Sequence, residues 1–317
     1  MNVYPIEISQ LSKDFGKTRV LNNVNLTVAH GTVHGFLGPN GAGKSTTIRC
    51  LLGLIHPTTG TLRINNTDPT KTTIHNVAYV PGDVELFPNL TGNQVLDTLA
   101  KLRPTSDNKK KRAEYIERFK LDPTKKIRTY SKGNRQKVML VAALAAPCDL
   151  VILDEPTSGL DPLQAEVFVD AVRDAAGQGR TVLMSSHIMA EVDRLCDSVT
   201  IIKDGRTVES GRLEELRHLR ASRITCVLPP EQSPAPRRHR WSRWLRRERG
   251  AQRSPTKDPT RVALPQPDAG GRLSVSVPTD RVPATLQQLL AAGAQEVTCT
   301  PASLDEVFLQ HYEAAAR

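Results

Sequence analysis

The sequence predicts an α/β fold built on a largely parallel sheet and followed by a small α+β appendage. Short apolar or β-branched runs alternate with helical patterns over residues 1–219, as strands joined by crossover helices do. A glycine-rich loop follows one such run, and the composition changes beyond residue 220. The chain has 317 residues, enough for two domains of roughly 100–200 residues each. We therefore expect a first domain over 1–219 and a second over 220–317.

Turn and cap signals mark some element boundaries. Asp204-Gly205 lies between two β-branched runs and predicts a hairpin that closes the first domain, because this dipeptide accepts the positive φ angles of a two-residue turn. Asp161 before Pro162 predicts a helix start, with the aspartate as cap and the proline in the first turn. The second domain is predicted to form strands at 224–228, 272–277 and 295–300 and helices at 281–292 and 303–312.

The segment GPNGAGKST contains the pattern G-x-x-x-x-G-K-S/T between an apolar run and a helical pattern. Its glycines let backbone N–H groups turn toward phosphate oxygens at a helix N-terminus, where the helix dipole favours anions. Lys44 is predicted to reach the terminal phosphates of a nucleotide and Ser45 to ligate Mg²⁺. The whole loop is a candidate nucleotide site: Gly38, Pro39, Asn40, Gly41, Ala42, Gly43, Lys44, Ser45 and Thr46.

A second candidate motif is the aliphatic run Leu150 to Leu153, which ends in Asp154 and Glu155. Neighbouring side chains of a strand diverge, so the two carboxylates can have different tasks. Asp154 is predicted to hold Mg²⁺, and Glu155 to orient and deprotonate an attacking water molecule. The alternative, a solvated strand end, is disfavoured beside a phosphate-binding loop.

These motifs and three others resemble the ATP-binding subunits of ABC (ATP-binding cassette) transporters over residues 1–219. The other three are YSKGNRQ at 130–136, similar to the LSGGQ signature, SGLD at 158–161, and Ser186-His187 after a strand. The resemblance implies an ABC-type P-loop fold with a helical signature subdomain, with ATP and Mg²⁺ as cofactors.

The resemblance also implies roles for single residues. Two cassettes of the family dock head to tail, so Ser131 and Gly133 are expected to contact the γ-phosphate held by a second copy of the chain. His187 is expected to sense the γ-phosphate and help to position water. Phe15 matches the aromatic position that stacks on adenine, and a phenylalanine of the core is an equal alternative.

The sequence departs from the family pattern at two places. Gly82 replaces the usual glutamine that touches Mg²⁺ and reports to the membrane subunit, and Asp83 or Glu85 is a candidate for the missing oxygen ligand. Lys132 and Asn134 replace glycine and glutamine in the signature. Lys132 either tightens ATP binding across the dimer or is a solvated surface lysine.

Most of the positive charge lies in one segment of the appendage, residues 229–262. It contains ten basic and three acidic residues and so accounts for +7 of the chain's formal charge of +10. Rich in Pro and Arg, it cannot form a packed core. Trp241, Trp244 and Leu245 are spaced to form one apolar face of a helix, which is typical of binding to anionic lipid. The sequence leaves two interpretations of this segment open: a contact with anionic lipid through 237–249, and a disordered insertion.

Several functional classes are excluded or disfavoured. The longest apolar run, at 138–146, has nine residues against the roughly 20 needed to cross a bilayer, so a single-chain membrane transporter is excluded. Five scattered cysteines without a C-x-x-C pair indicate a reducing cytosol and no structural zinc. An inactive regulatory module is disfavoured because the lysine, acids and histidine of the motifs are all present.

The expected function is ATP hydrolysis that powers export. The signature variants and the ending SLDEVFLQHY at 303–312 resemble the bacterial drug and antibiotic exporter branch, whose ATPase is separate from its permease. We expect a second copy of the chain and a transmembrane permease as partners, at the cytoplasmic face of the membrane. The rival is a non-transport ABC ATPase acting on nucleic acid or the ribosome. It is disfavoured because the chain has no long coiled coil and no second cassette, so no nucleic acid is expected.

Overall fold

The computed structural model describes these residues of the chain: 4–69, 76–102, 108–218, 221–229, 265, 267–268, 270–278 and 281–300. The chain divides into two compact units, Met1–Glu214 and Glu215–Arg317. The sequence places this boundary at residue 219. The predicted helix at 303–312 and the basic segment from residue 230 to 262, which includes 237–249, lie outside the described residues.

Strands and helices alternate through the first unit. In chain order its strands are β1 (Ile6–Phe15), β2 (Thr18–Val28), β3 (Val33–Leu37), β4 (Thr59–Ile64), β5 (Val77–Val80), β6 (Leu150–Asp154), β7 (Thr181–Ser186), β8 (Ser198–Lys203) and β9 (Arg206–Arg212). Its helices are α1 (Lys44–Leu51), α2 (Gly92–Lys101), α3 (Lys109–Arg118), α4 (Lys132–Leu144), α5 (Pro162–Gly177) and α6 (Met189–Leu195), and α7 (Leu213–His218) begins at its end. Within the described ranges, no helix has both the length and the apolar character needed to span a lipid bilayer.

The larger sheet of this unit has the strand order β5-β6-β7-β3-β8-β9. Its first five strands are parallel, and β9 pairs antiparallel with β8. Every residue of β3 and β6 is buried, as expected of parallel strands that are covered on both faces. The predicted α/β fold with a largely parallel sheet is therefore confirmed.

A second sheet of this unit is antiparallel, with the order β2-β1-β4. Helix α1 contacts strands of both sheets. Apolar residues of the two sheets and of α1 form one core, in which Ile6, Phe36, Ile48 and Ile152 are fully buried. This core fixes the position of α1, and hence of the loop that precedes it.

The helices α2, α3 and α4 pack together, since α4 contacts both of the others. Tyr115 and Phe119 are buried in this region with their rings 6.4 Å apart. Helix α4 begins directly after Ser131, which is its N-cap and whose side chain accepts a hydrogen bond from the Asn134 N–H. The signature sequence therefore lies at the start of a helix in a helical region.

Two local predictions are confirmed. The turn between β8 and β9 contains Asp204 at φ 47° and Gly205 at φ 71°, both in the left-handed region. Asp161 is the N-cap of α5 and accepts a hydrogen bond from the Gln164 N–H, with Pro162 at the first helical position.

The second unit is a small α+β structure. It contains β10 (Ala221–Val227), β11 (Arg272–Pro278), α8 (Val282–Ala291) and β12 (Gln295–Thr300). The strands form an antiparallel sheet in the order β11-β10-β12. Ile224, Leu273, Val277 and Leu289 are buried together, so α8 covers one face of this sheet. The strands and helix predicted from the sequence are confirmed, with ends that differ by a few residues.

Candidate nucleotide-binding site

Three of the predicted motifs follow neighbouring strands of the larger sheet. The strands β6, β7 and β3 are adjacent and parallel, so their carboxyl ends lie at one edge of the sheet. The phosphate-binding loop follows β3, Glu155 follows β6 and His187 follows β7. This edge is where open α/β sheets bind their ligands.

The phosphate-binding loop, residues 38–43, depends on its glycines. Gly43 is the N-cap of α1 and has φ 103°, and a Cβ there would lie 2.5 Å from the Leu21 Cδ2 atom. A Cβ on Gly38 would lie 2.4 Å from the Ile202 carbonyl oxygen. The hairpin turn also braces the loop, because the Gly205 N–H donates to the Ala42 carbonyl at 3.1 Å. The backbone therefore turns sharply into α1 and presents the helix N-terminus, which favours anions.

Lys44 lies at the base of this loop with only 4% of its side chain exposed. Its Nζ donates to the carbonyl oxygens of Gly38 at 2.8 Å and Pro39 at 3.1 Å. The same nitrogen lies 3.2 Å from the Glu155 Oε1 atom. The loop and the end of β6 thus hold one ammonium group between them.

Asp154 ends β6 and is 2% exposed. The Ser185 hydroxyl donates to its Oδ1 atom at 2.5 Å and accepts a hydrogen bond from the Glu155 N–H at 3.0 Å. Ser185 thus orients both acidic residues. The sequence motifs do not identify Ser185, which is one of two serines that end β7.

Glu155 has a left-handed backbone, with φ 46°. Such angles are uncommon in residues other than glycine and are found at functional sites. Its Oε2 atom lies 3.4 Å from the Nδ1 atom of His187, whose side chain is 43% exposed. The Glu155 carboxylate therefore contacts both the buried Lys44 and the partly exposed His187.

A cavity of about 460 Å³ opens beside these residues. Eight of the predicted site residues line it: Asn40, Gly41, Gly43, Lys44, Ser45, Thr46, Asp154 and Glu155. Gly38 and Pro39 act through the carbonyl groups that hold Lys44, and Ala42 is buried. The structure thus brings the phosphate-binding loop and the acid pair to one cavity.

Residues of other segments also line this cavity, including Val20, Arg49, Gly82 and Asp83. A Cβ on Gly82 would lie 3.2 Å from the Asp154 carbonyl oxygen and 3.6 Å from its Cγ atom. The loop that departs from the family pattern therefore passes directly beside Asp154. Glu85 is exposed, and the residues given above for the cavity do not include it.

Tyr79, on β5, adds an uncharged group near Asp154. Burial raises its pKa to about 12, with a further contribution from the negative charge of Asp154. Arg49 forms a hydrogen bond with this tyrosine and acts in the opposite direction on its pKa. The phenol therefore stays protonated at neutral pH.

Phe15 ends β1 and is 49% exposed, so the alternative of a core phenylalanine is wrong. The Lys13 Nζ atom lies 4.9 Å from the centre of its ring, within the range of a cation–π contact. The ring thus has surface available for stacking.

The signature residues do not belong to the set that lines this cavity of the same chain, apart from Lys132. Ser131 is exposed at the start of α4, and Gly133 is buried, where a Cβ would lie 2.3 Å from the Gly159 carbonyl oxygen. The Lys132 Nζ donates to the Ser158 hydroxyl at 2.8 Å. Lys132 is exposed, as the surface-lysine alternative expects, and this hydrogen bond joins the signature to the SGLD segment.

A glycine-rich loop at a helix N-terminus, a buried lysine and an acid pair at the end of β6, a parallel strand of the same sheet, define a P-loop nucleotide-binding protein. The family model described as ABC transporter matches residues 21–158. The chain belongs to the ABC transporter family, and it is an ATP-binding protein and an ATPase of the ABC type.

Individual relatives support this assignment. The daunorubicin/doxorubicin resistance ATP-binding protein DrrA of Streptomyces peucetius is 36% identical over 234 residues, which cover 71% of this chain and 71% of DrrA. The bacitracin transport ATP-binding protein BcrA of Enterococcus faecalis is 35% identical over 228 residues, covering 70% of this chain and 73% of BcrA. A solved ATP-binding subunit of an ABC transporter superposes with a TM-score of 0.63 at 32% identity, covering 67% of this chain and 91% of that one.

Proposed function

We propose that this chain is the ATP-hydrolysing subunit of an exporter that moves a drug, antibiotic or lipid-like compound through a separate permease. The observation that carries the proposal is the Glu155 carboxylate, held 3.2 Å from Lys44 and 3.4 Å from His187 beside the cavity. Similarity to DrrA and BcrA, which are named for daunorubicin resistance and bacitracin transport, supports export rather than an action on nucleic acid.

ATP is bound mainly through its phosphates. The backbone N–H groups of residues 40, 41 and 43–46 and the Lys44 ammonium contact phosphate oxygens, and the helix dipole of α1 adds to this attraction. Phe15 stacks on the adenine ring, which its exposure permits.

Mg²⁺ fits the oxygen donors of this cavity. Asp154 and Ser45 both line it, and Mg²⁺ binds through one or two carboxylates together with substrate phosphates. When bound, the ion neutralises charge on the phosphates. We assign the third protein oxygen to Asp83 rather than Glu85, since Asp83 lines the cavity.

Glu155 is the general base in this proposal. Its carboxylate accepts a proton from the attacking water, and His187 holds the water and the γ-phosphate in line. The Ser185 hydroxyl, which contacts both Asp154 and the Glu155 N–H, keeps the two acids in separate orientations.

The active unit is a head-to-tail dimer of this chain. Ser131 is exposed at the N-terminus of α4, where it is available to a phosphate held by a second copy. Gly133 allows the close packing of α4 on Gly159 that places this N-terminus. Closure of the dimer on ATP pushes on the permease at the cytoplasmic face of the membrane.

The basic segment is a proposed lipid contact. Residues 237–249 contain seven arginines, two tryptophans and one leucine, and each basic residue near anionic lipid contributes about 1 kcal/mol. Deletion of 231–262 is expected to abolish binding of the chain to anionic liposomes while leaving ATP binding intact. Unchanged liposome binding would reject the contact.

The experiment that tests the proposed function uses Glu155→Gln. This variant is expected to bind ATP, to hydrolyse it at least about 100-fold more slowly, and to accumulate as an ATP-bound dimer in size-exclusion chromatography. Glu117→Gln, on the exposed face of α3, is the matched control and is expected to behave as wild type. Wild-type protein without ATPase activity, or a Glu155→Gln variant of unchanged rate, would contradict the proposal. Co-purification of the wild-type chain with a multi-helix membrane protein would test the export step.

A further inference from the structure

Glu191, in the first turn of α6, accepts one short hydrogen bond from the turn after β6 and one from the end of β7. Its Oε1 atom accepts from the Thr157 hydroxyl at 2.6 Å, and its Oε2 atom accepts from the Ser186 hydroxyl at 2.6 Å. Thr157 lies two residues after Glu155, and Ser186 directly precedes His187. One carboxylate therefore ties together the segments that carry the two predicted catalytic residues.

Further hydrogen bonds restrain the two segments that Glu191 contacts. The Ser186 hydroxyl also accepts a hydrogen bond from the Ile188 N–H at 2.9 Å, so the residues on both sides of His187 are fixed to one oxygen atom. On the other segment, the Ser158 N–H donates to the Glu155 carbonyl at 3.1 Å, which closes a turn around Thr157. Movement of either segment is thus transmitted through the Glu191 carboxylate.

The chemistry of this contact favours a carboxylate. Both partners are hydroxyl donors, and a carboxylate offers two equivalent acceptor oxygens, whereas an amide offers one acceptor and one donor. Hydrogen bonds to a charged acceptor are also shorter and stronger than neutral ones. The two bonds of 2.6 Å agree with this.

From this geometry we infer that Glu191 is a positioning residue for ATP hydrolysis, which sets the separation between Glu155 and His187. That separation is 3.4 Å between Oε2 and Nδ1. The inference rests on the proposed roles of these two residues in hydrolysis. It assigns no contact between Glu191 and ATP, which distinguishes it from the residues of the cavity.

The test is steady-state and single-turnover ATPase kinetics of the full chain with Glu191→Ala and Glu191→Gln. Displacing a catalytic group by about 1 Å can cost about 100-fold in rate, so Glu191→Ala is expected to lower kcat about 10- to 100-fold. The KM for ATP and the affinity for a fluorescent ATP analogue are expected to change less than about threefold, because the phosphate loop is untouched. Glu191→Gln and Thr157→Val each remove one of the two hydrogen bonds. Their kcat values are expected to lie between those of the wild type and Glu191→Ala.

Arg194→Gln is the matched control, because Arg194 also lies on α6 but pairs with Glu166 on α5. It is expected to leave kcat within about twofold, since surface ion pairs contribute little. A double-mutant cycle separates positioning from folding: in a His187→Ala background, Glu191→Ala is expected to lose most of its effect on kcat.

Three results would overturn the inference: a kcat within twofold of wild type for Glu191→Ala, a fall in kcat that Arg194→Gln reproduces, or full additivity with His187→Ala. If Glu191→Ala does not fold, Glu191→Gln and Thr157→Val decide by the same criteria. Wild-type protein that binds ATP without hydrolysing it would reject the proposed function instead, and that outcome is seen before any variant of Glu191 is made.

Discussion

At the level of single residues, the site combines buried charge with fixed orientation. Lys44 is 4% exposed and is compensated by two carbonyl oxygens and by the Glu155 carboxylate. Asp154 is 2% exposed and receives a hydrogen bond from Ser185. Buried charges are tolerated when they are paired in this way, and the same pairing holds them ready for a charged ligand.

Asp83 is the residue whose role can be tested most directly. If it supplies the oxygen that Gly82 lacks, Asp83→Asn is expected to weaken Mg²⁺-dependent ATP binding about 10-fold. ATP binding is measured by calorimetry over a Mg²⁺ titration, and the Mn²⁺ complex by electron paramagnetic resonance. Glu85→Gln, two residues along the same loop, is the control and is expected to change neither. Equal effects of the two variants, or none, would remove Asp83 from the ligand set.

His34 predicts how stability depends on pH. Burial lowers its pKa from 6.5 to about 4, and its ring nitrogens lie 2.7 Å from the Ser198 hydroxyl and 2.9 Å from that of Thr200. Below about pH 6.5 the unfolded state takes up a proton that the folded state does not, so stability falls as the pH falls toward 4. Between about pH 7 and pH 5, His34 is expected to lower the free energy of unfolding by about 2 kcal/mol, as measured by urea unfolding.

The matched variants for this prediction are His34→Gln and His56→Gln. The first removes the buried imidazole and is expected to flatten the pH dependence by about 2 kcal/mol, whatever its stability at neutral pH. The second changes an exposed histidine and is expected to leave the dependence unchanged. Identical slopes for wild type and His34→Gln would contradict this account.

At the level of elements, the order of the parallel strands creates the site. The strands β6, β7 and β3 are neighbours in space although they are far apart in the chain. The phosphate-binding loop follows β3, Glu155 follows β6 and His187 follows β7, so all three lie at the same edge of the sheet. The hairpin of β8 and β9 then braces the phosphate loop through the bond from the Gly205 N–H to the Ala42 carbonyl.

Gly205→Ala is expected to disturb this brace. Gly205 has φ 71°, and a Cβ there would lie 2.2 Å from the Val20 carbonyl oxygen. Gly179 has φ 87° with no atom within 4 Å of its Cβ position, so Gly179→Ala measures the cost of the left-handed backbone alone. That cost is about 1–2 kcal/mol of unfolding free energy, and Gly205→Ala is expected to cost about 1–3 kcal/mol more.

Gly205→Ala is also expected to reduce the affinity for ATP, because the phosphate loop is attached to the displaced turn. Gly179→Ala is expected to bind ATP as wild type does. Denaturant unfolding and nucleotide titration of both variants check these expectations together. Equal losses of stability in the two variants would show that the turn accommodates a Cβ without moving.

The sequence predicts those parts of this site in which neighbouring residues carry the chemistry. The phosphate loop, the acid pair and the Asp204-Gly205 turn are contiguous, and each has a local physical reason. Ser185 and Glu191 could not be predicted, because their partners lie in other segments and only the strand order brings them together. The exposure of Phe15 was open for another reason: a phenyl ring carries no polar group that indicates solvent.

At the level of the whole molecule, the charge of the chain is divided unevenly. The segment 229–262 carries +7 of the formal charge of +10, so the remainder is close to neutral. The first unit, residues 1–214, contains 27 basic and 23 acidic residues, so its net charge is +4 and like-charge repulsion between two docked copies is modest. In the proposed head-to-tail dimer, the exposed Ser131 on α4 of one copy faces the cavity around Lys44 of the other.

Mixing of two inactive variants tests this assembly. Lys44→Ala damages the phosphate loop and Ser131→Arg damages the signature, so each homodimer has two defective sites. In a head-to-tail mixed dimer, the intact loop of one chain meets the intact signature of the other, and one site is restored. Random exchange makes about half of the dimers mixed, so ATPase activity of about a quarter of wild type is expected from the symmetry of the assembly.

A chain with both substitutions mixed with wild type is the control: its mixed dimers contain no intact site, and they are expected to add no activity. Failure of the two single variants to complement each other, while each still binds its wild-type partner, would mean that each site is completed within one chain.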